Sequence, residues 1–361
     1  MKKRIGILTA GGDCPGLNAA IRGVVRASYH LFDAEIIGIR GGFRGGTILG
    51  TSRTPFSQMR SNGDGPDKVE EMKKNYRAMR LDCLVVLGGN GTHKTANLLS
   101  QEGLNVIGLP KTIDNDIYGT DFTFGFHTAV DIATDVVDRI HTTAASHGRC
   151  MVIELMGNKS GWLTLYAGVA GGADIILLPE FPYDIEKVAE VVETRANLRK
   201  SFSIIAVAEG AMDKDEKEMK KKDREAARVE SPYNSISHRI ATQLEQMVGV
   251  ECRTVIPGHI QRGGTPCAYD RVLSTEFGVH AAHLIRDGIY GVTVAVDGRG
   301  RCLQARAAGR PHGALGHRHQ RVVWHLIPNA AANASINSSF SAPPRMSLGR
   351  ISIRGLRPPN P

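Results

Sequence analysis

Two aspartates, Asp114 and Asp116, stand two residues apart in the segment 110–116, which follows the apolar run 105–109. A short apolar run that ends in turn-forming residues predicts a buried strand. Open α/β sheets bind their ligands at the carboxyl ends of such strands. One carboxylate there can remove a proton from a substrate while its neighbour holds a cation. The same spacing also suits an Asx-rich turn that caps the next helix, so the pair alone does not decide between chemistry and structure.

Three glycine-containing turns each follow a predicted strand and precede a predicted helix. They are Ala10–Asn18, Gly88–Thr92 and Met156–Gly161. A strand, a glycine turn and a helix in succession aim backbone N–H groups at a phosphate. The repetition of this unit predicts an α/β fold with two similar, Rossmann-like, doubly wound domains.

The composition excludes several classes of protein. Of 361 residues, 42% are hydrophobic and 22% are charged, as in globular proteins. No apolar run is long enough to span a membrane and no signal peptide follows Met1, so we expect a cytoplasmic protein without a membrane partner. The six cysteines lack C-x-x-C spacing, which indicates neither a zinc site nor a disulfide framework.

The net charge of +9 is concentrated at the C-terminal end of the chain. Residues 298–361 contain ten arginines and no Lys, Asp or Glu, so residues 1–297 are close to neutral. A neutral body gives no electrostatic footprint for nucleic acid, and we expect no nucleic-acid partner. Residues 298–361 therefore form an atypical basic tail that is disordered, binds nucleic acid or is translated in a shifted reading frame. We favour the shifted frame, which sequencing of the coding DNA near codon 297 tests.

Seven sequence blocks in a fixed order resemble the 6-phosphofructokinase family of the A type. They are AGGDCPGLNAAIRGVVR (10–26), GGTILGTSR (45–53), LVVLGGNGT (84–92), PKTIDNDI (110–117), MVIELMGNKSGWL (151–163), AVAEG (206–210) and PGHIQRGG (257–264). One glycine loop would be weak evidence, whereas this ordered set is highly specific. The resemblance implies a glycolytic enzyme that phosphorylates fructose 6-phosphate at its 1-hydroxyl with ATP and Mg²⁺.

The resemblance also implies how the two domains divide the work. We expect a phosphoryl-donor domain at 1–125 plus about 241–288. We expect a sugar-phosphate domain at 126–240 plus about 289–297. The active site would lie in the cleft between the two domains.

The family's catalytic and donor-side residues have matches in this sequence. Asp114 matches the general base that takes the proton from the 1-hydroxyl, Thr112 can bond the transferring phosphoryl group, and Asp116 can hold Mg²⁺ or orient the substrate. The donor-side matches are Gly11, Gly89, Asn90, Gly91, Thr92, Lys111 and, roughly at the family's phosphate-binding arginine, Arg60. Of these residues, Asn90 and Asp116 are the predicted metal ligands.

The sugar-phosphate residues of the family are also matched. They are Arg149, Met156, Gly157, Glu209, Arg253, His259 and Arg262. Arginine forks suit the 6-phosphate, which carries about two negative charges. By resemblance, Arg149 and Arg253 would reach in from a neighbouring subunit, which implies a homo-oligomer, a dimer or tetramer, with shared active sites.

Two residues give opposite indications about the phosphoryl donor. Gly91 resembles the ATP-using members, because pyrophosphate-using members carry a bulkier acid there that blocks the nucleoside. Lys111 resembles the pyrophosphate-using members, in which this lysine can neutralise a phosphate. We favour ATP, because a steric block is harder to circumvent than one added charge, and keep a pyrophosphate-dependent fructose-6-phosphate 1-phosphotransferase as the alternative.

Two further classes of protein are weaker alternatives. A lipid or NAD kinase also carries a glycine-rich loop, but the PKTIDND and GHIQRGG blocks argue against it. A non-catalytic effector-binding or RNA-binding protein would not need Asp114 and Arg262, and both residues are intact.

Overall fold

The computed structural model describes residues 2–40, 49, 56, 59–60, 67–198 and 202–297, and the backbone of 302–306. Within these residues the apolar runs of the sequence form ten strands. They are β1 (Lys3–Thr9), β2 (Ala34–Gly38), β3 (Cys83–Gly88), β4 (Val106–Pro110), β5 (Cys150–Leu155), β6 (Ile175–Leu177), β7 (Ser203–Ala208), β8 (Cys252–Val255), β9 (Val292–Val296) and β10 (Cys302–Arg306).

Helices separate most of these strands, as expected for parallel sheets with crossover connections. They are α1 (Leu17–Leu31), α2 (Lys68–Ala78), α3 (Asn90–Gln101), α4 (Phe126–His147), α5 (Trp162–Ala170), α6 (Ile185–Asn197), α7 (Lys214–Glu218), α8 (Lys221–Glu230), α9 (Ile236–Val248) and α10 (Ala268–Arg286), with a 3-10 helix at Gly258–Arg262. None of the helices in the described residues combines the length and the apolar character needed to cross a bilayer.

The first sheet has the strand order β10-β9-β4-β3-β1-β2. Its strands are parallel except for β10, which runs antiparallel to β9. The helices α1 and α10 pack closely on each other beside this sheet. Two glycines permit this approach, because a Cβ atom on Gly23 would lie 2.6 Å from the Thr275 carbonyl oxygen, and one on Gly278 would collide with Ala20.

The second sheet has the order β6-β7-β5-β8 and is entirely parallel. Both faces are covered, because alternate residues of its strands enter two different cores. Met151 and Ile153 share one core with residues of α4 and α5, whereas Val152 shares the other with residues of α6 and α9. This two-sided covering is the doubly wound arrangement that the sequence predicts.

The sheets differ from the predicted segment boundaries at two places. Strand β8 pairs with β5 in the second sheet and helix α9 packs on both strands, whereas the sequence predicts that 241–288 is part of the donor domain. Strand β9 lies beside β4 in the first sheet, although 289–297 was assigned to the sugar domain. An apolar pattern indicates a strand, but it does not indicate which neighbour that strand pairs with. Of the predicted basic tail, only 302–306 is described, as β10, and the rest lies outside the described residues.

Candidate active site

The segment after β4 is shaped by Asn115, which has a left-handed backbone conformation with φ of 49°. The Asn115 Oδ1 atom accepts a hydrogen bond from the Thr123 backbone N–H at 2.9 Å, and its Nδ2 atom donates to the Asp121 carbonyl oxygen at 3.1 Å. Asparagine is one of the few residues that tolerates this conformation. This turn fixes Asp114 and Asp116 on either side of Asn115.

Asp114 is largely buried, and burial is the main reason why its carboxyl pKa is raised to about 6. The neighbouring carboxylates of Asp116 and Glu209 raise the pKa further, while Arg262 and a hydrogen bond with Thr112 oppose them. The carboxylate is therefore mostly ionised at neutral pH, as a general base must be. Glu209 follows β7 and Arg262 ends the 3-10 helix after β8, so charges carried by the second sheet act on an acid carried by the first.

The predicted donor-side residues Gly11, Gly89, Thr92 and Lys111 lie close together. A Cβ atom on Gly11 would lie 3.6 Å from Lys111 Nζ, 3.8 Å from Thr92 Oγ1 and 3.9 Å from the Gly89 backbone nitrogen. Gly11 also has φ of 84°, which disfavours any other residue. Because Gly89 precedes the first residue of α3, free N–H groups of a helix N-terminus face the same space.

Lys111 is 3% exposed, and its ammonium group donates a hydrogen bond to the Gly12 carbonyl oxygen. Burial lowers the pKa of the lysine, and the Cys14 thiol and the carboxylates of Asp114 and Asp13 oppose this effect. The lysine therefore brings a cation between the first glycine turn and the segment that carries Asp114. A phosphate group bound there would have a positive partner that water scarcely reaches.

Gly91 borders open space. A Cβ atom added to it would have no other atom within 4 Å, in contrast to the crowded surroundings of Gly88, where one would collide with Thr92. A larger residue therefore fits at position 91 without displacing protein atoms, and such a residue would occupy the space next to the phosphate-facing turn.

The two predicted metal ligands are in direct contact. Asn90 Nδ2 donates to Asp116 Oδ2 at 2.7 Å and to the Asp116 carbonyl oxygen at 3.2 Å. The described residues contain no group of three or more His, Cys, Asp and Glu side chains that could hold a metal by themselves. One carboxylate and one amide oxygen fit Mg²⁺, which takes most of its ligands from substrate phosphates and water.

The loop after β5 carries Met156 and Gly157, and side chains from two other segments hold it. Glu209 Oε1 accepts hydrogen bonds from the backbone N–H groups of Gly157 at 3.2 Å and Asn158 at 2.6 Å. Gln261 Oε1 accepts from the Met156 N–H at 3.3 Å. Gly157 itself has φ of 143°, and a Cβ atom there would collide with the Ser160 carbonyl oxygen.

His259 and Arg262 both lie on the 3-10 helix that follows β8. His259 is exposed and Arg262 is half-buried. The Arg262 charge lowers the pKa of both Asp114 and Lys111, so it acts on the segment that follows β4.

Arg149 and Arg253 lie at the other end of the second sheet. Arg149 Nε forms an ion pair with Glu251 Oε2 at 2.9 Å, and Arg253 also pairs with Glu251. Arg149 precedes β5 whereas Met156 follows it, and six strand residues span about 20 Å. Within one chain, these two arginines are therefore separated from the other predicted sugar-phosphate residues.

Arg60 is also separated from the residues with which it was grouped. Its guanidinium pairs with Asp67 at 3.3 Å and with Glu102. Glu102 follows the last residue of α3, and a helix of 12 residues is about 18 Å long. The structure therefore places Arg60 near the end of α3 that is opposite to the Gly89–Thr92 turn.

Comparison with known proteins agrees with this architecture. The sequence model of the family described as Phosphofructokinase matches residues 4–285. The chain belongs to the phosphofructokinase family.

Relatives within the family differ in the donor that their names specify. An ATP-dependent 6-phosphofructokinase from Spirochaeta thermophila is 52% identical over 319 residues, covering 81% of this chain and 87% of that protein. A pyrophosphate–fructose 6-phosphate 1-phosphotransferase from Amycolatopsis methanolica is 44% identical, covering 82% of this chain and 91% of that protein. The solved phosphofructokinase from Saccharomyces cerevisiae has a TM-score of 0.69 and 29% identity, covering 84% of this chain but only 45% of the yeast chain.

Two buried polar residues of this phosphofructokinase were not singled out from the sequence. Gln261 stands inside the GHIQRGG block and is fully buried. It accepts a hydrogen bond from Met156 in the loop 156–161 after β5, which we call the sugar-side loop. Asp270 lies in the first turn of α10 and accepts hydrogen bonds from the backbone N–H groups of Gly125 at 3.0 Å and Thr128 at 2.7 Å, so it caps the first turn of α4. The sequence blocks contain Gln261 and its partner Met156, whereas Asp270 and its partners lie outside them, and no local pattern shows that either polar side chain is buried.

Proposed function

We propose that this phosphofructokinase transfers the terminal phosphoryl group of ATP to the 1-hydroxyl of fructose 6-phosphate, giving fructose 1,6-bisphosphate and ADP. The observation that carries the proposal is the position of Asp114. Its carboxylate interacts electrostatically with Lys111 and Asp116 on the donor side, and with Glu209 and Arg262 on the sugar side. A general base for phosphoryl transfer has to stand at such a meeting point of donor and acceptor.

The reaction needs positioning and charge neutralisation more than covalent chemistry. Asp114 accepts the proton of the 1-hydroxyl as its oxygen attacks the terminal phosphorus atom. Lys111 and the N-terminus of α3 neutralise the negative charge of the donor phosphates. Thr112 is within hydrogen-bond distance of the Asp114 backbone N–H, 3.1 Å, and its hydroxyl can contact the transferring group.

Mg²⁺ fits the donor side, with Asp116 and Asn90 as its protein ligands. The ion would bridge and neutralise donor phosphates. Asn90 supplies an amide oxygen, a weaker ligand than a carboxylate, so we expect the phosphates to carry most of the coordination.

Pyrophosphate is the second candidate donor, and the buried ammonium of Lys111 favours it. The pyrophosphate-dependent relative from Amycolatopsis methanolica shows that names in this family do not all specify ATP. The open space around Gly91 favours ATP, because it leaves room next to the phosphate-facing turn for a nucleoside. We therefore propose ATP as the donor.

Arg149 and Arg253 complete the sugar-phosphate site of a neighbouring subunit in this proposal. Within one chain, the two arginines lie at the opposite end of the second sheet from Glu209 and Arg262. This separation supports a role for them in the site of a neighbouring chain. The protein is then a cytoplasmic homo-oligomer in which each active site uses two chains.

The test is formation of fructose 1,6-bisphosphate from fructose 6-phosphate and Mg²⁺, with ATP and pyrophosphate supplied in separate reactions. Product with ATP supports the proposal, and product with pyrophosphate alone selects the second candidate. Phosphorylation of NAD or a lipid, with no product from fructose 6-phosphate, would contradict both. Because the assay uses the full chain, it also shows whether residues 298–361 are compatible with activity.

A further inference from the structure

Gln261 is a fully buried carboxamide, and both ends of its amide are hydrogen-bonded. Its Oε1 atom accepts from the Met156 N–H at 3.3 Å, and its Nε2 atom donates to the Gly258 carbonyl oxygen at 3.0 Å. The first bond leads to the loop after β5, and the second leads back to the start of its own 3-10 helix. One side chain therefore joins two segments that are 105 residues apart in the chain.

The bond between the Met156 N–H and Gln261 is one of three side-chain hydrogen bonds that hold the backbone of the loop after β5. The consecutive N–H groups of Met156, Gly157 and Asn158 are held by Gln261 and Glu209, and none of the three bonds goes to a backbone acceptor. A turn bond from the Ser160 N–H to the Gly157 carbonyl and a bond from the Gly161 N–H to Glu180 hold the end of this loop, whereas its first three N–H groups are held by Gln261 and Glu209. Gln261 is the one of these two side chains that comes from the segment carrying His259 and Arg262.

We propose that Gln261 is a positioning residue that fixes the sugar-side loop at Met156 against the 3-10 helix, and thereby sets the affinity for fructose 6-phosphate. The inference rests on the proposed function, because it takes fructose 6-phosphate as the ligand. Gln261 is enclosed in protein and acts through Met156 and Gly157 on one side and Arg262 on the other. A displacement of one segment by about 1 Å would separate groups that must contact the sugar phosphate together.

Two variants of Gln261 distinguish an effect on the affinity for fructose 6-phosphate from an effect on the stability of the fold. Gln261→Met has a similar length and removes both hydrogen bonds. Gln261→Glu keeps the acceptor for the Met156 N–H, loses the donor to the Gly258 carbonyl and buries a charge. The glutamate variant should therefore be the less stable of the two and yet bind the sugar phosphate more tightly.

The experiment measures KM for fructose 6-phosphate, KM for ATP, kcat and the melting temperature of the full-length protein. Direct binding of fructose 6-phosphate is measured by calorimetry. We expect Gln261→Met to raise KM for fructose 6-phosphate about tenfold, with KM for ATP within about twofold of the wild type. For Gln261→Glu we expect a KM for fructose 6-phosphate between those of the wild type and Gln261→Met. Ser203→Ala is the matched control, because it removes a buried hydrogen bond to Arg195 at the opposite end of β7.

An unchanged KM for fructose 6-phosphate in folded Gln261→Met would overturn the inference. It would also fail if Gln261→Glu bound no better than Gln261→Met, or if Ser203→Ala raised the same KM equally. Should Gln261→Met not fold, Gln261→Asn replaces it, since its shorter side chain cannot reach the Met156 N–H. Absence of fructose 6-phosphate binding in the wild type would instead refute the proposed function.

Discussion

Asp114 shows how the chemistry of one residue is set by its surroundings. A carboxyl in water has a pKa near 4, and burial together with two nearby carboxylates brings that of Asp114 to about 6. This makes it a stronger base than a solvated aspartate while leaving it ionised at neutral pH. Asp116, two residues away, is instead hydrogen-bonded to the Asn90 amide, so the two aspartates of one turn have different surroundings.

Asp114→Asn should reduce kcat by about a hundredfold to ten-thousandfold, because an amide cannot accept the hydroxyl proton. KM for fructose 6-phosphate should change much less, since the side chain keeps its shape. Steady-state kinetics with both substrates varied measures this split. Asp135→Asn is the matched control, because it removes a carboxylate from an exposed pair with Arg139. A kcat for Asp114→Asn close to that of the wild type would exclude Asp114 as the base.

Gly91→Asp tests the donor. The open space at Gly91 means that the protein should fold normally, while the new carboxylate occupies the space proposed for the nucleoside. We expect KM for ATP to rise at least about tenfold, with KM for fructose 6-phosphate unchanged. Gly91→Ala is the control and should still accept ATP. Equal use of ATP by the aspartate variant would show that the nucleoside binds elsewhere.

Helices α7 and α8 depend on the buried carboxylate of Glu216 for their attachment. Glu216 accepts hydrogen bonds from Arg228 at 2.8 Å and Arg239 at 2.8 Å, and it forms a capping box with Asp213 at the start of α7. Helix α8 itself has no buried residue, so apolar packing contributes little to its position. Electrostatic contacts therefore hold this part of the chain beside the loop that carries Asn158 and Lys159.

Glu216→Gln should lower the free energy of unfolding by about 2–3 kcal/mol at neutral pH, because it removes the carboxylate that Arg228 and Arg239 share and leaves Arg239, among the described residues, with only its longer ion pair with Asp213, at 3.4 Å. Hydrogen bonds from the two arginines lower the pKa of Glu216 to about 2, against an opposing effect of burial. The stabilisation is therefore fully present above the ordinary pKa of about 4.5 and is lost as the pH falls towards 2. Urea unfolding at pH 7, 4.5 and 3 measures this. A difference between wild type and variant that does not shrink on acidification would contradict it.

The elements were largely predictable from the sequence, and their partners were not. Apolar runs ending in turn-forming residues predicted β1, β3 and β4, because a strand buried on both faces has to be apolar along its length. The same criterion could not assign β9 to a sheet, since its pattern Val292–Val296 fits either. Its pairing with β4 depends on contacts between residues almost two hundred positions apart.

At the candidate site, residue type indicated the donor and sugar loops but did not indicate burial. Gln261 is polar and stands between two basic residues, so its sequence context resembles an exposed helix face. Its burial arises because the Met156 N–H and the Gly258 carbonyl need a shared partner. The position of Arg60 in the sequence suggested a phosphate contact, but in the structure its guanidinium pairs with Asp67 and Glu102.

At the scale of the whole molecule, Arg149 and Arg253 lie at the end of the second sheet that is opposite to Met156 and Glu209. Closed symmetric assemblies give every chain the same neighbour contact, so arginines at such an edge can serve a partner's site. Arg149 pairs with Glu251, Arg253 pairs with Glu251 and Glu245, and both of these carboxylates are exposed. Such surface pairs are weak and can exchange for a phosphate.

Mixing two inactive variants tests the shared site. Asp114→Asn and Arg253→Ala chains should each lack activity, while oligomers formed from both contain sites with an intact Asp114 and an intact partner arginine. Random assembly in equal amounts would restore up to about a quarter of the wild-type activity in the whole mixture, and up to about half in a doubly purified dimer fraction. Co-expression with different affinity tags and assay of the doubly purified fraction measures this. No recovery in verified hybrids would show that each chain uses its own arginine.

The position of β9 has a consequence for synthesis of the protein. The second sheet uses residues 150–255, one continuous stretch, whereas the first sheet cannot place a strand beyond β4 until Val292–Val296 has left the ribosome. During translation the second sheet can therefore be complete while one edge of β4 is still uncovered and open to wrong pairing. A ribosome stalled shortly before codon 292 would then hold a chain with one finished sheet and one unfinished sheet.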